Sequence, residues 1–375
     1  MQFIDLKRQY DRLEAEINDR IRAVLNHQKF IMGPEVGELE AELASYTGRK
    51  HVLTCASGTD ALVIPLMAYE LKETDAVFVP AFTFFATAES VSLAGATPVF
   101  VDSGDDYNMD CEDLEKRIAR VIKDGKLTPK GIITVDLFGQ ACDYERIREI
   151  ADKYNLFVIE DGAQSMGGEY KGKKNGSFGN VSATSFFPAK PLGCYGDGGA
   201  IFTDDDELAA KMHSIRVHGQ GSSKYDNVRI GLNGRMDTIQ AAILLPKLAI
   251  LDDEIRARQH VAQAYMEQLQ DTFTVPVVAK DKISAWAQFT MLAKDERQRD
   301  RIVEGMKKHD IPIMLYYVVP MHLQTAYREL GYTDSDVPKA TEFSKRVFSV
   351  PMHPYLTPEE ISRICELLKE IVREG

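Results

Sequence analysis

From His51 to Asp161, short apolar runs alternate with amphipathic ones, and no other feature of the chain limits its fold so tightly. "HVLTCA" reads as a strand and "TDALVIPLMAYEL" as a helix. "AVFVP" is a strand, and "TAESVSLAG" a helix ending on Gly95. "TPVFVD" is followed by "DCEDLEKRIARVIKDG", with Gly125 past the end of that helix. Then come "GIITVDLFG", "YERIREIADKYN" and "LFVIED". Short, β-branched strands joined by helices bury both of their faces. The pattern predicts an α/β fold with a mainly parallel sheet covered on both sides.

Beyond this region the pattern changes. "GLNGRMDTIQAAILLPKLAILDDEIRARQHVAQAYMEQL" is a long helical stretch in which Pro246 predicts a kink or break. "WAQFTMLA", "DERQRDRIVEGMKKHD" and "IPIMLYYV" then read as mixed strands and helices. In the closing helix Thr357 caps, Pro358 takes the first helical position and Glu360 completes a capping box. Ile361, Ile364, Leu368 and Ile371 form its apolar face. We expect a large domain over residues 1–249, with an N-terminal arm or helix, and a smaller α+β domain over 250–375.

The chain has 375 residues and a net charge of −12, with both signs mixed along it. That balance argues against nucleic acid or an anionic membrane as a partner. No run approaches the ~18 apolar residues of a membrane span. The start, "MQFIDLKRQYDRLEAEI", is charged and has no apolar signal core. Cys55, Cys111, Cys142, Cys194 and Cys365 are scattered and form no CxxC pair, which speaks against a disulfide framework or structural zinc. A cytoplasmic protein with reduced thiols is the expectation.

Three stretches carry candidate chemistry. In "CASGTDAL" a strand runs into Ser57-Gly58-Thr59 and then a helix. Gly58 lets backbone approach a ligand, and the N–H groups at the helix start favour an anion. A plain turn capped by Thr59 or Asp60 fits the same residues. No GKS or GKT follows, so this is not a P-loop, and no GxGxxG follows an early strand. In "LFVIEDGAQSMGG" Asp161 lies at the carboxyl end of a buried strand, where open α/β sheets bind ligands. A structural aspartate capping the next turn is the other reading. Gln164 could present its amide to the same place. In "SFFPAKPLGCYGDGGA" Lys190 sits between Pro188 and Pro191, among aromatics and glycines.

Taken jointly, a phosphate cradle, an acid at a strand end and a lysine in a tight turn are what pyridoxal 5'-phosphate needs. Its phosphate takes helix N–H groups and hydroxyls, its ring nitrogen an acid, and its aldehyde a lysine.

With these motifs stand "FIDLKRQY", "FIMGPEVGELEAELASYTG", "VPAFTFFATAESV", "RVHGQ", "GLNGRMDTIQAAIL" and "PMHPYLT". Over essentially its whole length the chain resembles the DegT/DnrJ/EryC1/StrS sugar aminotransferases, pyridoxal-phosphate enzymes of fold type I. The resemblance implies an aspartate-aminotransferase-like large domain with a mainly parallel seven-stranded sheet. It implies Lys190 as the cofactor lysine and proton shuttle, and Asp161 as partner of the pyridine nitrogen. Gln164 would lie near the ring's phenolic oxygen. Gly58, Thr59 and Ser185 would be phosphate ligands, and Phe84 the stacking aromatic. Asn233 would reach the phosphate from the neighbouring subunit of a homodimer with shared sites.

His322, His353 and Tyr317 are candidate substrate contacts. Tyr316-Tyr317-Val318 stands where many relatives carry His-Tyr-Pro, in a region that reaches toward the sugar. His213 and His218 are five apart, which does not pair them on a helix face, and the acidic run from Asp204 to Glu207 reads as a solvated helix start. No metal site is expected.

The resemblance implies transfer of an amine from L-glutamate to a nucleotide-linked keto sugar for bacterial surface polysaccharide. It is nearest to enzymes acting on UDP-2-acetamido-2-deoxy-3-oxo-glucuronic acid. A 4-keto or dTDP-3-keto sugar is the alternative. Lys190 argues against a sugar dehydratase of this family, in which a histidine replaces the lysine. Lys190, Asp161 and Thr59 together argue against a non-enzymatic regulator.

Overall fold

The computed structural model describes every residue except Lys224 and Gly375. Two helices, α1 (Leu6–His27) and α2 (Pro34–Thr47), precede the alternating region. There follow β1 (His51–Cys55), α3 (Gly58–Ala68), β2 (Asp75–Pro80), α4 (Phe85–Leu93), β3 (Thr97–Val101), α5 (Cys111–Asp124), β4 (Thr128–Val135), α6 (Tyr144–Tyr154) and β5 (Phe157–Asp161). Two short strands, β6 (Glu169–Tyr170) and β7 (Lys173–Lys174), lead to β8 (Val181–Ser185), β9 (Gly199–Thr203) and α7 (Asp206–Arg216). The remainder comprises α8 (Thr238–Ala249), α9 (Leu251–Leu269), β10 (Lys282–Ile283), β11 (Phe289–Leu292), α10 (Glu296–Lys308), α11 (Pro338–Arg346), β12 (Val347–Val350) and α12 (Pro358–Arg373).

Seven strands form the main sheet in the order β1-β9-β8-β5-β4-β2-β3. The pairs β2–β3, β2–β4, β4–β5 and β5–β8 are parallel. β9 is antiparallel to both its neighbours, β1 and β8, so it alone runs against the other strands. The carboxyl ends of β1, β2, β4, β5 and β8 therefore share one edge. All positions of β2, β8 and β9 are buried, as a sheet covered on both faces requires.

Two expectations meet a different outcome. Pro246 lies inside α8 without ending it; the break falls at Ile250, with φ −106° and ψ 1°. Residues Ala241 to Leu248 are all buried, and that packing offsets the roughly 3 kcal/mol that an interior proline costs. "IPIMLYYV" forms no strand; its one ladder contact is the isolated bridge Met314–Ser349. The closing capping box between Thr357 and Glu360 is formed as expected, and Asp205 caps α7 with Asp206 and Glu207 in its first turn.

Helix α9 joins two apolar cores. Its Leu251 and Ile255 pack with Phe186, Leu192 and Leu244 beside the main sheet. Its Val261, Tyr265 and Leu269 pack with Ile302, Phe348, Ile364 and Leu368 around the two-stranded sheet β11–β12. Among the described residues no helix is long and apolar enough to cross a membrane.

Candidate active site

A cavity of about 460 Å³ opens at the shared carboxyl edge of the sheet. Most of its lining comes from strand ends. Ser57, Gly58 and Thr59 follow β1, Thr83 and Phe84 follow β2, and Val135 ends β4. Asp161 ends β5 and is followed by Ala163 and Gln164, while Ser185 ends β8 and leads to Lys190. The sequence-predicted residues Gly58, Thr59, Phe84, Asp161, Gln164, Ser185, Lys190 and Tyr317 all line this one space.

The floor beneath the α3 start is tight. A Cβ on Gly58 would lie 2.6 Å from Ser185 Cβ, so only glycine lets the helix start approach β8 this closely. Ser57 is the cap: its Oγ accepts from Asp60 N at 3.0 Å. That bond satisfies one of the helix's first N–H groups, and the others remain available to an anion.

Asp161 is buried. Its Oδ2 accepts from the Thr87 hydroxyl at 2.9 Å, and its Oδ1 from Ala163 N at 3.2 Å. Burial raises its pKa above the ordinary carboxylate value, while the Thr87 and Ala163 bonds and the Lys190 charge oppose that rise. The adjacent Glu160 points to the other side of the strand. It accepts from Gly176 N at 2.6 Å, Phe178 N at 2.8 Å and the Ser182 hydroxyl at 2.6 Å.

Lys190 is partly buried and lines the cavity, with no hydrogen bond to Nζ among the described residues. Burial lowers its pKa, and the negative charge of Asp161 raises it. Lowering favours the free amine, which is the nucleophilic form.

Gln164 is held at both ends: Oε1 accepts from Phe138 N at 2.6 Å, and Nε2 donates to the Tyr317 hydroxyl at 3.2 Å. Phe84 is 58% exposed, with its ring 6.1 Å from that of Tyr317. An exposed aromatic at the mouth of a cavity is free to stack on an occupant.

The structure does not bring every candidate here. His322 is buried, with Nε2 3.2 Å from the Thr341 hydroxyl, and does not line the cavity. His353 is buried beside Tyr355, and burial takes its pKa down to about 4. Asn233 is exposed, bridged to Val217, and lies outside the cavity of its own chain. Residues the sequence did not single out complete the wall: Ile4 from the N-terminus, Thr83, Phe187, Asp197, and Gln288 from the segment before β11. Thr87 supports Asp161 from α4; the stretch "VPAFTFFATAESV" contains it, but nothing there marks it as the partner of an acid 74 residues on.

A larger recess, about 580 Å³, lies at the opposite edge of the sheet, beside Phe157, Asn180 and Asp204. Its buried arginine, Arg49, is committed to Asp204 and to the carbonyls of Gly176, Phe178 and Gly179.

The donor set in the smaller cavity fits pyridoxal phosphate: an amine without a hydrogen-bond partner, a buried carboxylate, a helix start bearing hydroxyls and an exposed aromatic. Fold and site together define a pyridoxal-phosphate-dependent transferase of fold type I. The chain belongs to the DegT/DnrJ/EryC1/StrS aminotransferase family, whose model matches residues 11–369. It is an aminotransferase, and structural neighbours have been solved with the cofactor or its amine form bound.

A UDP-2-acetamido-2-deoxy-3-oxo-D-glucuronate aminotransferase from Pseudomonas aeruginosa is 44% identical, over 98% of this chain and 99% of its own. A pleiotropic regulatory protein from Geobacillus stearothermophilus is 39% identical, over 99% and 98%. The crystal structure of a family aminotransferase from Brucella abortus is 50% identical, with a TM-score of 0.96 and 99% of each chain covered.

Proposed function

We propose that the chain transfers an amino group from L-glutamate to a nucleotide-linked keto sugar, and that this sugar is a UDP-linked 2-acetamido-2-deoxy-3-oxo-glucuronic acid. The observation that carries the reading is the meeting of Lys190 and Asp161 in one cavity with the α3 start. The sugar rests on the 44% identity with the Pseudomonas enzyme over nearly the whole of both chains.

When bound, pyridoxal phosphate supplies an aldehyde for amines and an electron-poor ring that accepts the electron pair left on the substrate carbon. Asp161 would hold a proton at the ring nitrogen, its carboxylate kept oriented by the Thr87 hydroxyl. Lys190 would hold the cofactor's aldehyde through Nζ, and its free amine, which burial favours, would serve as the acid–base group that carries a proton at the reacting carbon. The second half-reaction uses the same amine in reverse. Gly58, Thr59 and Ser185 would hold the phosphate, Phe84 would stack on the ring, and Gln164 would offer its amide beside it. Tyr317, bonded to Gln164, lines the same cavity and would be available to the substrate.

The reading includes a homodimer in which Asn233 of each chain completes the other's phosphate site. It keeps residues 1–249 as the cofactor-binding domain and 250–375 as the smaller one. It places the reaction in the cytoplasm, in the supply of an amino sugar for surface polysaccharide. The intact Lys190–Asp161 site favours an enzyme over the regulatory role for which the Geobacillus relative is named.

The test is a panel of UDP-, dTDP- and GDP-linked 3-keto and 4-keto sugars offered with glutamate, with products identified by mass and NMR. Amination of the UDP-3-oxo uronate in preference to the rest is expected. Preference for a dTDP-linked or 4-keto sugar would replace the substrate proposed here while leaving the transfer itself intact.

A further inference from the structure

The turn that carries Lys190 is held from below by a second lysine. Phe186 to Cys194 closes on itself: Cys194 N donates to Phe186 O at 2.8 Å, and Lys190 N to Phe187 O at 2.9 Å. At Gly193 the turn is so tight that a Cβ would lie 2.4 Å from Pro188 O. The Gly193 carbonyl points away from this knot and accepts from Lys247 Nζ at 2.7 Å. The same ammonium sits 4.0 Å from the centroid of the Tyr195 ring. Seven residues earlier on α8, and so on the same face of the helix, Gln240 Oε1 accepts from Tyr195 N at 2.9 Å. One helix thus grips the turn at Gly193 and at Tyr195.

We propose that Lys247 is a positioning residue for the amine of Lys190. Lysine is an expensive choice at this place. Lys247 is 2% exposed and has no carboxylate within ion-pair distance among the described residues. Glu254 helps from farther off and is itself engaged by Gln9 and Tyr355. Burial takes the Lys247 pKa down to about 8, against the pull of Glu254 and Cys194. An apolar residue of the same length would avoid that desolvation and leave the Gly193 carbonyl unpaired. What the ammonium provides is a fixed point under the turn.

That point matters because, among the described residues, Lys190 Nζ has no hydrogen bond to locate it, so its position is inherited from its backbone. Displacement of a reacting group by about 1 Å can cost about a hundredfold in rate. The proposal rests on Lys190 being the cofactor lysine, which borohydride fixation in the unaltered protein checks separately.

The experiment compares Lys247→Met with Lys247→Gln, side chains of equal length of which only glutamine retains an N–H donor. Cys194 reports on the turn: it is buried, and its thiol bonds Phe186 O and Gly196 O. Maleimide labelling read by peptide mass spectrometry needs no turnover. In the Met variant we expect Cys194 to label about tenfold faster while Cys55, Cys142 and Cys365 stay protected, and borohydride fixation at Lys190 to slow about tenfold. The Gln variant should recover at least half of both changes. Unchanged Cys194 labelling, equal behaviour of Met and Gln, or simultaneous exposure of all four buried cysteines would each overturn the proposal, the last by making Lys247 a residue of global stability.

Discussion

Thr87, in the first turn of α4, donates its hydroxyl proton to Asp161 Oδ2 at 2.9 Å, although the two are 74 residues apart in sequence. This bond is one of the forces holding the Asp161 pKa down against burial. In Thr87→Val the shape is kept and the donor is lost. Hydrogen bonds to charged groups contribute about 1.5–3 kcal/mol, so turnover should fall roughly 10- to 100-fold. Cofactor affinity, measured by absorbance titration, should fall with it. Wild-type values in both measurements would remove Thr87 from the site.

Lys190→Ala should lower turnover at least about a thousandfold, since under the proposed function it removes both the covalent anchor and the proton carrier. Borohydride treatment of the yellow wild-type protein should fix the cofactor on Lys190. Lys247, whose pKa burial takes down to about 8, is the informative control, because its amine is committed to Gly193 O. Label on Lys247 or any other lysine would refute the assignment.

Gly58→Ala tests the phosphate end of the site. The added methyl would lie 2.6 Å from Ser185 Cβ and 2.9 Å from its Oγ, so α3 or β8 has to shift. Both elements would supply ligands to the phosphate, Gly58 and Thr59 from α3 and Ser185 from β8. Cofactor affinity should drop at least about tenfold, with fold stability reduced by roughly 1–3 kcal/mol in chemical denaturation. Tight binding in this variant would show that the approach of helix to strand is not what forms the cradle.

These three sites were legible in the sequence to different degrees. Strands β1 to β5 stand out because they are short, β-branched and separated by helices. β8 and β9 do not, since "VSATS" and "GAIFT" bury serine, threonine and glycine. Gly58, Asp161 and Lys190 could be assigned together because a helix-start anion cradle, an acid at a strand end and a lysine in a tight turn meet the three needs of one cofactor. Thr87 and Ile4 lie in stretches that carry the family resemblance, yet neither they nor Gln288 show locally what they meet; they arrive from a helix, from the N-terminus and from beyond α9 through long-range packing. His322 and His353 look like polar substrate contacts in sequence, but in the folded chain they are buried, which no spacing rule reveals.

His353 makes that burial measurable. Its folded pKa is about 4, below the ordinary value of 6.5, because burial and the Arg258 charge disfavour the imidazolium. As pH falls through 6.5 the unfolded chain takes up a proton that the native state refuses. Stability fully present above pH 6.5 is therefore lost on the way to pH 4, by about 2 kcal/mol at pH 5. His353→Gln should flatten this segment of the stability–pH curve in urea titrations. Equal slopes for variant and wild type would mean that other groups control the acid limb.

Asn233 decides whether sites are shared. It is exposed, while the next residue, Gly234, accepts from Ala56 N at 3.0 Å and so ties this loop to the end of β1, beside its own chain's cavity mouth. The side chain does not line that cavity, so a contribution to cofactor binding has to be made across a two-fold interface. In a dimer mixed from Asn233→Ala and Lys190→Ala chains, one site carries both lesions and the other carries neither. Random exchange makes about half the dimers hybrid, each with one intact site, so activity should return to about a quarter of wild type. Each parent alone should stay well below that level. If native mass spectrometry verifies exchange and activity does not recover, each chain works with its own residues only.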